Sequence, residues 1–474
     1  MLASAPKRAL RAVAEDVRAF GRQMRAAFGL RRTRPGLYAY PLEDDNGSRR
    51  LHLRAHNDGS GVLFVDVSDV VHLTPLATDI ARMVLDGMTQ DQVRTLLRSW
   101  YPDAPEADLR RDVAALDTII TSLKRPGQGC PTCLPELERV PLFSRRPQAP
   151  YKADLALTYR CNNDCAHCYN EPGRKGLPSL DARGWRRVLR RLADIGVPHI
   201  IFTGGEPTLC EHLPALVEHA SGLGQVAGLN TNGRLLADQA FAERLAAAGL
   251  DHVQITLASH LPKLHNAVVR APAYDETTQG VRSALAAGLH TITNTTLTHL
   301  NRDHALAIVE FVRDLGVTTF AMNGMICAGG GRHNPSALTE RELAPLLDEV
   351  RERAGDLGMH FLWYTPTEYC RLSPLALGLG PKSCNAAEYS ICVEPNGDVL
   401  PCQSYYQPTG NLLRDDWDDI WDSPLFRSLR LRREEPQAAG LPERCFECED
   451  LTVCGGGCPL QRAERSEEAL PHAT

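Results

Sequence analysis

The sequence lacks long apolar runs and any excess of positive charge. No stretch of the chain approaches the ~20 consecutive apolar residues that a membrane-spanning helix needs, and the amino terminus lacks the apolar core of a secretion signal. The formal net charge is −6, so nothing in the charge balance favours nucleic acid as a partner. We therefore expect a cytoplasmic protein without a transmembrane segment.

Cysteine, in contrast, is abundant. Fifteen cysteines in a chain without a secretion signal indicate metal or redox chemistry rather than a disulfide scaffold. A chain of 474 residues is also too long for one ordinary hydrophobic core, and its length predicts about three domains.

Three of the cysteines follow a predicted strand directly. The run Asp154–Thr158 alternates and ends in β-prone residues, and Cys161, Cys165 and Cys168 come after it with the spacing CxxxCxxC. A structural zinc site would want four ligands, commonly as two CxxC pairs. Three clustered thiolates suit an iron–sulfur cluster whose fourth iron keeps an open position. A zinc knuckle or a set of buried thiols is the alternative.

A strand followed by CxxxCxxC resembles the radical S-adenosylmethionine (radical SAM) enzymes. The resemblance implies that these three cysteines hold a 4Fe–4S cluster, and that the methionine moiety of SAM chelates the open iron. It also implies that an electron from the cluster breaks the sulfonium C–S bond and gives a 5′-deoxyadenosyl radical. A flavodoxin or a ferredoxin is the expected electron donor.

Predicted strands and helices alternate from residue 151 to residue 365, which favours βαβ units and a parallel sheet. The resemblance implies a partial (β/α)6 barrel, in which the chemistry lies at the carboxyl ends of the strands. Six strands are predicted after the first: His199–Phe202, Val226–Asn230, His252–Leu257, Thr291–Leu297, Thr318–Met322 and His360–Tyr364.

Polar and glycine residues follow three of these strands. Glu206 belongs to a segment that matches the family's GGE motif for the SAM amino group, because glycines let backbone approach a ligand and an acidic side chain suits an ammonium. A TNG-like segment follows the third strand, near the expected ribose. Relatives often have Ser-Leu-Asp after the fourth strand, where Ala258 replaces the acid. The resemblance assigns SAM binding to Gly204, Gly205, Glu206, Asn230, Asn232, Thr256 and Arg270.

Residues 366–474 carry a second group of cysteines. Their spacing resembles the SPASM extension, which carries auxiliary 4Fe–4S clusters, and the run Ser390–Cys402 reads as a hairpin with a Pro-Asn-Gly turn. A zinc ribbon is the alternative for the last four cysteines. The resemblance assigns one auxiliary cluster to Cys384, Cys392, Cys402 and Cys458, and a second to Cys445, Cys448 and Cys454.

The second auxiliary cluster lacks its usual last ligand. The family supplies it from a cysteine beyond position 458, and this chain has none there. Three alternatives stay open: an iron with an open position, a ligand from Cys130 or Cys133 in the linker 125–150, or no second cluster. Free cysteines are often small buried hydrophobes, and three receive no role: Cys210, Cys327 and Cys370.

The segment ahead of the linker predicts a helix and a small domain. Residues 1–36 carry apolar residues at three- and four-residue intervals, which indicates an amphipathic helix. Residues 37–124 predict three strands followed by three helices, which describes a winged-helix module. The module resembles the leader-peptide recognition (PqqD-like) domain of ribosomal-peptide maturation, in which the leader adds a strand beside the third strand and packs on the third helix. The alternative is a DNA-binding winged helix, but no basic recognition helix stands out.

Taken together, the sequence predicts an α/β radical SAM/SPASM peptide maturase with a fused leader-binding domain. It would modify a precursor peptide by a crosslink, a thioether or an oxidation. One alternative is a radical SAM/SPASM enzyme that acts on a small molecule such as a tetrapyrrole. The other is a metal-binding winged-helix protein without catalysis. The predicted segments are 1–36, 37–124, 125–150, 151–365 and 366–474.

Overall fold

The structure is a computed structural model that describes residues 33–44, 47–65, 69–124, 143 and 145–468. The helix predicted in residues 1–36 lies almost wholly outside the described residues, and so do Cys130 and Cys133. The chain divides into two compact units, Met1–Arg139 and Val140–Thr474. Within the described ranges, no helix is both long enough and apolar enough to cross a membrane.

The first unit combines an antiparallel sheet with three helices around one core. Side chains such as Leu53, Ile80 and Val113 are completely buried there. Thr89 caps one of the helices, because its side chain and that of Gln92 each accept from the other's backbone amide. The elements are β1 (Gly36–Asp44), β2 (Gly47–Ala55), β3 (Gly61–Val65), β4 (Asp69–Leu73), α1 (Pro75–Leu85), α2 (Gln90–Trp100) and α3 (Glu106–Leu123).

The strand count of this unit differs from the prediction. The sequence predicted three strands, whereas the structure has a fourth, β4, after β3. The two strands pair in antiparallel, with Val65 opposite Asp69 at one end and Gly61 opposite Leu73 at the other. Because β3 lies between β2 and β4, a peptide cannot add beside the third strand, and that prediction is wrong. The strand that adjoins the helices and lies at the sheet edge is β4. Its five residues run directly into the N-cap of α1, which left no turn signal to separate strand from helix.

The second unit is built on one open sheet of nine strands. Seven parallel strands follow one another in chain order. This arrangement confirms the predicted parallel α/β fold. The expected partial barrel has six strands, so this sheet has one parallel strand more. Each lies within two residues of its predicted bounds. They are β5 (Lys152–Thr158), β6 (His199–Gly204), β7 (Val226–Thr231), β8 (His252–Thr256), β9 (His290–Thr296), β10 (Thr319–Asn323) and β11 (His360–Trp363).

Helices follow the strands and bury their apolar sides against the sheet. Trp185, Val188 and Leu192 of the first such helix are completely buried, and Gly196 ends that helix in the left-handed region at φ 92°. The helices are α4 (Ala182–Ile195), α5 (Leu213–Gly222), α6 (Gln239–Ala247), α7 (Pro262–Val269), α8 (Tyr274–Ala286), α9 (Ala305–Asp314) and α10 (Glu340–Asp356).

The cysteine-rich carboxyl-terminal segment extends the same sheet. β12 (Ser390–Val393) pairs in parallel with β5 and in antiparallel with β13 (Val399–Leu400). Gly397, at φ 91°, lies in the turn between these two strands, so the predicted hairpin is confirmed. Four short helices complete the segment: α11 (Trp417–Trp421), α12 (Pro424–Arg430), α13 (Leu451–Cys454) and α14 (Pro459–Glu468).

Candidate active site and cluster sites

The three cysteines of CxxxCxxC lie together on the loop that follows β5. Burial raises the pKa of the Cys165 thiol to about 12, and the charges of Cys168 and Cys161 add to the rise, so the three sulfurs are within electrostatic reach of one another. Cys161 is exposed and the other two are half-buried. Among the described residues, no three His, Cys, Asp or Glu side chains could hold a single metal ion. Three neighbouring thiols, one of them exposed, fit a 4Fe–4S cluster with an open position better than a structural zinc site, which needs four ligands.

Backbone contacts fix this cysteine loop in place. The Val268 carbonyl, at the end of α7, accepts from the Ala166 amide at 2.9 Å, and the Gly330 amide donates to the Cys168 carbonyl at 2.7 Å. A Cβ at Gly329 would lie within 2.7 Å of three carbonyl oxygens of the loop. Sequence reasoning missed this glycine segment, although the run of three glycines at 329–331 was a visible signal for close backbone approach.

The two glycines of the GGE motif also approach the backbone that enters the cysteine loop. A Cβ at Gly204 would lie 2.2 Å from the Thr158 carbonyl oxygen, and one at Gly205 would lie 2.4 Å from that of Arg160. The Gly205 amide donates to the Thr158 carbonyl at 2.7 Å. The sequence interpretation attributed these glycines to the approach of a ligand. The structure gives them a role in packing the end of β6 against the end of β5.

Glu206 is a buried carboxylate with several partners inside the protein. One oxygen accepts from the Thr208 and Thr231 hydroxyls at 2.6 and 2.7 Å, and the other accepts from the Asn232 amide at 2.8 Å. Burial raises the pKa of Glu206, and these hydrogen bonds oppose the rise. The carboxylate therefore ties the GGE segment to the TNG segment. A direct contact between Glu206 and the SAM ammonium stays a prediction.

The TNG segment reaches the cysteine loop through two side chains. The Asn232 amide group donates to Asn162 Oδ1 at 2.6 Å and lies 4.0 Å from Cys161 Sγ. Arg234 donates to the Asn162 carbonyl and forms an ion pair with Glu276. Arg234 was not predicted as a site residue, and only its position two residues after Asn232 signals its role. These contacts connect the TNG segment with the cysteine loop, and Glu206 connects the GGE segment with the TNG segment.

The remaining predicted SAM residues lie near the ends of β7, β8 and α7. Asn230 and Thr256 are half-buried near the carboxyl ends of β7 and β8. Arg270 is exposed and takes a left-handed φ of 52° directly after α7, whose end contacts the cysteine loop. The structure thus places Arg270 next to the cysteine loop, while contact of all three residues with SAM stays a prediction.

The four cysteines predicted for the first auxiliary cluster also lie together. Burial raises the pKa of Cys402, and the charges of Cys384 and Cys458 add to the rise. Burial raises the pKa of Cys392 as well, and the charges of Asp154 and Cys402 add to that rise. Two of the four sit on or beside the β12–β13 hairpin, whose pairing brings them close. Four thiols gathered in a buried site fit a fully ligated 4Fe–4S cluster.

A buried group of ion pairs contacts the backbone of Cys384 in the first auxiliary set. Arg432 donates to the Cys384 carbonyl at 2.6 Å and to Glu388 at 2.8 Å, and Arg433 binds the same carboxylate at 2.9 Å. These three charged side chains are only 4–7% exposed. Sequence reasoning missed the group, because the partners are 44 or more residues apart in the chain.

A second polar network connects the cysteine loop, which is the predicted SAM-cluster loop, with the β12–β13 hairpin. The Tyr159 hydroxyl donates to Glu394 at 2.9 Å, and Arg174 forms an ion pair with the same carboxylate. The Tyr406 hydroxyl donates to Asn170 Oδ1 at 2.9 Å. The predicted SAM-cluster site and the first auxiliary site are therefore linked through buried and half-buried side chains.

The cysteines predicted for the second auxiliary cluster lie on the short loop and helix ahead of α14. The Cys448 amide donates to the Cys445 carbonyl at 3.4 Å. Cys445 and Cys454 are buried, whereas Cys448 is exposed. This set has three thiols, one of them exposed, so a 4Fe–4S cluster held here by thiolates alone would need a fourth ligand from elsewhere in the chain.

Comparison with known families identifies two segments of the chain. Residues 155–312 match the Radical SAM superfamily, and residues 384–449 match an iron–sulfur cluster-binding domain, SPASM. A PqqA peptide cyclase from Streptomyces rochei is 31% identical over 332 residues, which cover 68% of this chain and 87% of that relative. A PqqA peptide cyclase from Xanthomonas axonopodis pv. citri (strain 306) is 30% identical over 336 residues, with 68% and 86% coverage.

Solved structures match the fold at low sequence identity. Streptococcus suis SuiB bound to the precursor peptide SuiA has a TM-score of 0.64 and 16% identity, and the match covers 90% of this chain and 97% of SuiB. SuiB bound to S-adenosylmethionine has a TM-score of 0.63 and 18% identity, with 89% and 96% coverage. Native anSMEcpe with bound AdoMet has a TM-score of 0.52 and 16% identity, with 66% and 91% coverage. These matches confirm the fold of the chain.

Proposed function

The chain belongs to the radical SAM superfamily, and on this premise we propose that it modifies a ribosomally made precursor peptide. It is an enzyme that uses SAM and 4Fe–4S clusters. The observation that supports a peptide as the substrate is the 31% identity to a PqqA peptide cyclase across 87% of that relative. Within this proposal, the new bond is a crosslink or a thioether, or the peptide is oxidised.

The cysteine loop is the proposed site of SAM cleavage. Cys161, Cys165 and Cys168 would hold the cluster that supplies the electron for this cleavage. The chain's own contribution is to keep the three thiols in position with one side open, through the backbone contacts of Val268 and Gly330. The proposed SAM-binding residues are Gly204, Gly205, Glu206, Asn230, Asn232, Thr256 and Arg270.

The buried auxiliary cluster site suits the storage and transfer of electrons. Formation of a crosslink or a double bond in a peptide removes electrons as well as hydrogen from the substrate. The network of Tyr159 and Glu394 connects the auxiliary site with the SAM-cluster loop. A flavodoxin or a ferredoxin remains the proposed external donor, and the proposed compartment is the cytoplasm, where thiols are kept reduced. The proposed ligands of this protected cluster are Cys384, Cys392, Cys402 and Cys458.

The first unit is the proposed recognition domain for the leader of the peptide. An extended peptide binds a sheet edge through main-chain hydrogen bonds, and side-chain pockets add selectivity. The available edge beside the helices is β4, whose Val71 and Leu73 face the core while His72 is exposed. SuiB was solved with its precursor peptide bound, and its match covers 90% of this chain, which is more than the second unit alone accounts for.

Turnover of a peptide tests the proposed function directly. The reconstituted enzyme would be incubated with SAM, dithionite and the short precursor encoded beside its gene. We expect 5′-deoxyadenosine together with a loss of hydrogen mass from the peptide. The Cys161→Ala, Cys165→Ala, Cys168→Ala variant is the control and should form neither product. An unchanged peptide alongside consumption of a tetrapyrrole would reject the peptide proposal in favour of the small-molecule alternative.

Leader binding is tested separately by calorimetry. The full chain should bind the precursor, and a chain that lacks residues 1–124 should lose most of this affinity while it still cleaves SAM. A duplex DNA oligonucleotide serves as the competing ligand for the DNA-binding alternative. Equal peptide affinity with and without residues 1–124 would place recognition elsewhere.

A further inference from the structure

One cysteine without an assigned role lies beside the incomplete second auxiliary set. Cys370 follows β11 and precedes the first SPASM cysteine by fourteen positions. The three residues before it, Thr367, Glu368 and Tyr369, are buried, whereas Cys370 itself is exposed. A buried backbone therefore presents this side chain at the surface, and Cys448 of the second set is exposed as well.

The segment ahead of Cys370 contacts Cys454 directly. The Tyr369 amide donates to Cys454 Sγ at 3.4 Å, and the Cys454 thiol donates to the Thr367 carbonyl at 3.8 Å. In the SAM-cluster loop, the Asn163 amide donates to Cys161 Sγ at 3.4 Å as well. Hydrogen bonds to the sulfurs are a regular feature of iron–sulfur sites, so the Tyr369 amide points to a ligand role for Cys454.

Two further contacts fasten the same segment to the residues around the second cysteine set. Glu368 accepts from Arg444, the residue before Cys445, at 2.8 Å. A Cβ at Gly457 would lie 2.8 Å from the Glu368 amide nitrogen, so only glycine allows this approach. The segment that carries Cys370 is therefore held against residues on both sides of the set.

The electrostatics agree with this placement. Burial raises the pKa of the Cys445 thiol and Arg444 opposes the rise, while the charges of Glu368, Cys454 and Cys370 add to it. Cys370 also contributes to the raised pKa of Arg444, so the two side chains are within electrostatic reach of each other. Cys370 is thus within reach of both the buried thiols and the cation beside them.

The other two cysteines without a role have different neighbours. Cys327 interacts with Glu464 and Cys458, and Cys210 interacts with Arg160. Neither interacts with a predicted ligand of the second auxiliary set among the described contacts. A 4Fe–4S cluster held by thiolates alone needs four of them, and the three predicted ligands leave one position to fill.

We propose that Cys370 supplies the fourth thiolate of the second auxiliary 4Fe–4S cluster, together with Cys445, Cys448 and Cys454. The inference rests on the proposed cluster function of the carboxyl-terminal segment, but not on the identity of the substrate. It offers a ligand from the segment between β11 and the first SPASM cysteine, whereas ligation by Cys130 or Cys133 was one of the three alternatives that the sequence left open.

The test is the cluster content of the full-length Cys370→Ala variant, reconstituted without air. We expect its iron content to fall, or its Mössbauer spectrum to lose the signal of one fully thiolate-bound cluster. Cys448→Ala should give the same change. Cys210→Ala and the Cys130→Ala, Cys133→Ala double variant are the matched controls and should keep the wild-type iron content and spectrum.

A Cys370→Ser variant guards against a folding defect, because serine keeps the approximate size of the side chain. It should retain the thermal midpoint and show an altered cluster spectrum. Wild-type iron content and spectra in both Cys370 variants would overturn the proposal. A change in the Cys130, Cys133 double variant alone would assign the ligand to the linker. No substrate is needed, so a failed peptide assay leaves this result unaffected.

Discussion

The SAM-cluster loop and the first auxiliary site are two ways to assemble cysteines. The loop takes its three thiols from eight consecutive residues, Cys161–Cys168, and leaves Cys161 exposed. The auxiliary site takes its four from a stretch that begins at Cys384 and ends at Cys458, and it buries Cys392 completely. The first is a local motif held by backbone contacts, and the second exists only once the chain has folded.

This difference matches what each site has to do. A site that binds and releases SAM needs an open side, and the exposed Cys161 end of the cysteine loop fits this proposed role. A site that holds a permanent cluster gains from burial, since the protein around a cluster controls solvent access and reduction potential. Four variants probe this comparison and the sheet that carries both sites, and their expected effects decrease in the order given.

The largest effect is expected from the loss of the local motif. The Cys161→Ala, Cys165→Ala, Cys168→Ala variant should form no 5′-deoxyadenosine, since it has no thiolate for the SAM cluster. Its auxiliary sites do not share these residues, so it should retain iron. Chromatographic assay of 5′-deoxyadenosine and iron analysis check the two results. SAM cleavage at the wild-type rate would end the radical SAM assignment of this loop.

The next effect concerns the stability of the auxiliary site. Glu388→Gln leaves the buried cations Arg432 and Arg433 without their carboxylate, and breaking a buried ion pair costs about 3–5 kcal/mol. We expect a clear fall in the thermal midpoint. Glu434→Gln is the control, because its pair with Arg146 is about half exposed and is worth about 0–1 kcal/mol. Equal midpoints for the two variants would contradict the buried role of Glu388.

A smaller effect is expected where the two SAM-facing segments meet. In Glu206→Gln, a neutral amide group replaces the carboxylate that accepts a hydrogen bond from the Asn232 backbone amide, and the new NH2 group can face that amide. A hydrogen bond to a charged group contributes about 1.5–3 kcal/mol. We expect weaker SAM binding by calorimetry, by roughly tenfold or more, with the iron content retained. Glu211→Gln, at an exposed position, is the control. Unchanged SAM affinity in Glu206→Gln would show that the carboxylate does not position the site.

The smallest effect is a pH dependence of the sheet itself. Burial lowers the pKa of His252 to about 4, whereas an unfolded histidine titrates near about 6.5. The unfolded state therefore binds the extra proton between these two pKa values, so stability falls as the pH falls through this window, by up to about 2 kcal/mol at about pH 5. His252→Gln should reduce the loss of thermal midpoint between neutral pH and that pH. An identical loss in both proteins would assign it to other groups.

Local patterns predicted much of this molecule. The seven parallel strands, the helices Pro75–Leu85 and Glu106–Leu123, and the β12–β13 hairpin each have their own periodicity or turn residues. The cysteine loop was predictable because its three ligands are close in sequence. Features of this kind depend on neighbours along the chain.

Features that depend on distant residues were not predictable in the same way. Cys370 has no motif spacing to the other cysteines, and its segment is placed by contacts with Arg444 and Cys454. The buried carboxylate Glu388 meets its arginines only in the folded chain. β4 was missed for a different reason, because it runs directly into the N-cap of α1 and no turn residues separate the strand from the helix.

The pairing of β12 with β5 has a consequence for electron transfer. Cys392 on β12 stands opposite Asp154 on β5, and β5 leads directly into the loop with the SAM-cluster cysteines. Neighbouring strands in a sheet are about 4.8 Å apart, and their hydrogen bonds leave little freedom to slide. The distance between the two proposed cluster sites is therefore fixed within one sheet rather than left to the motion of separate domains, so we expect the rate of electron transfer between them to be a property of the fold.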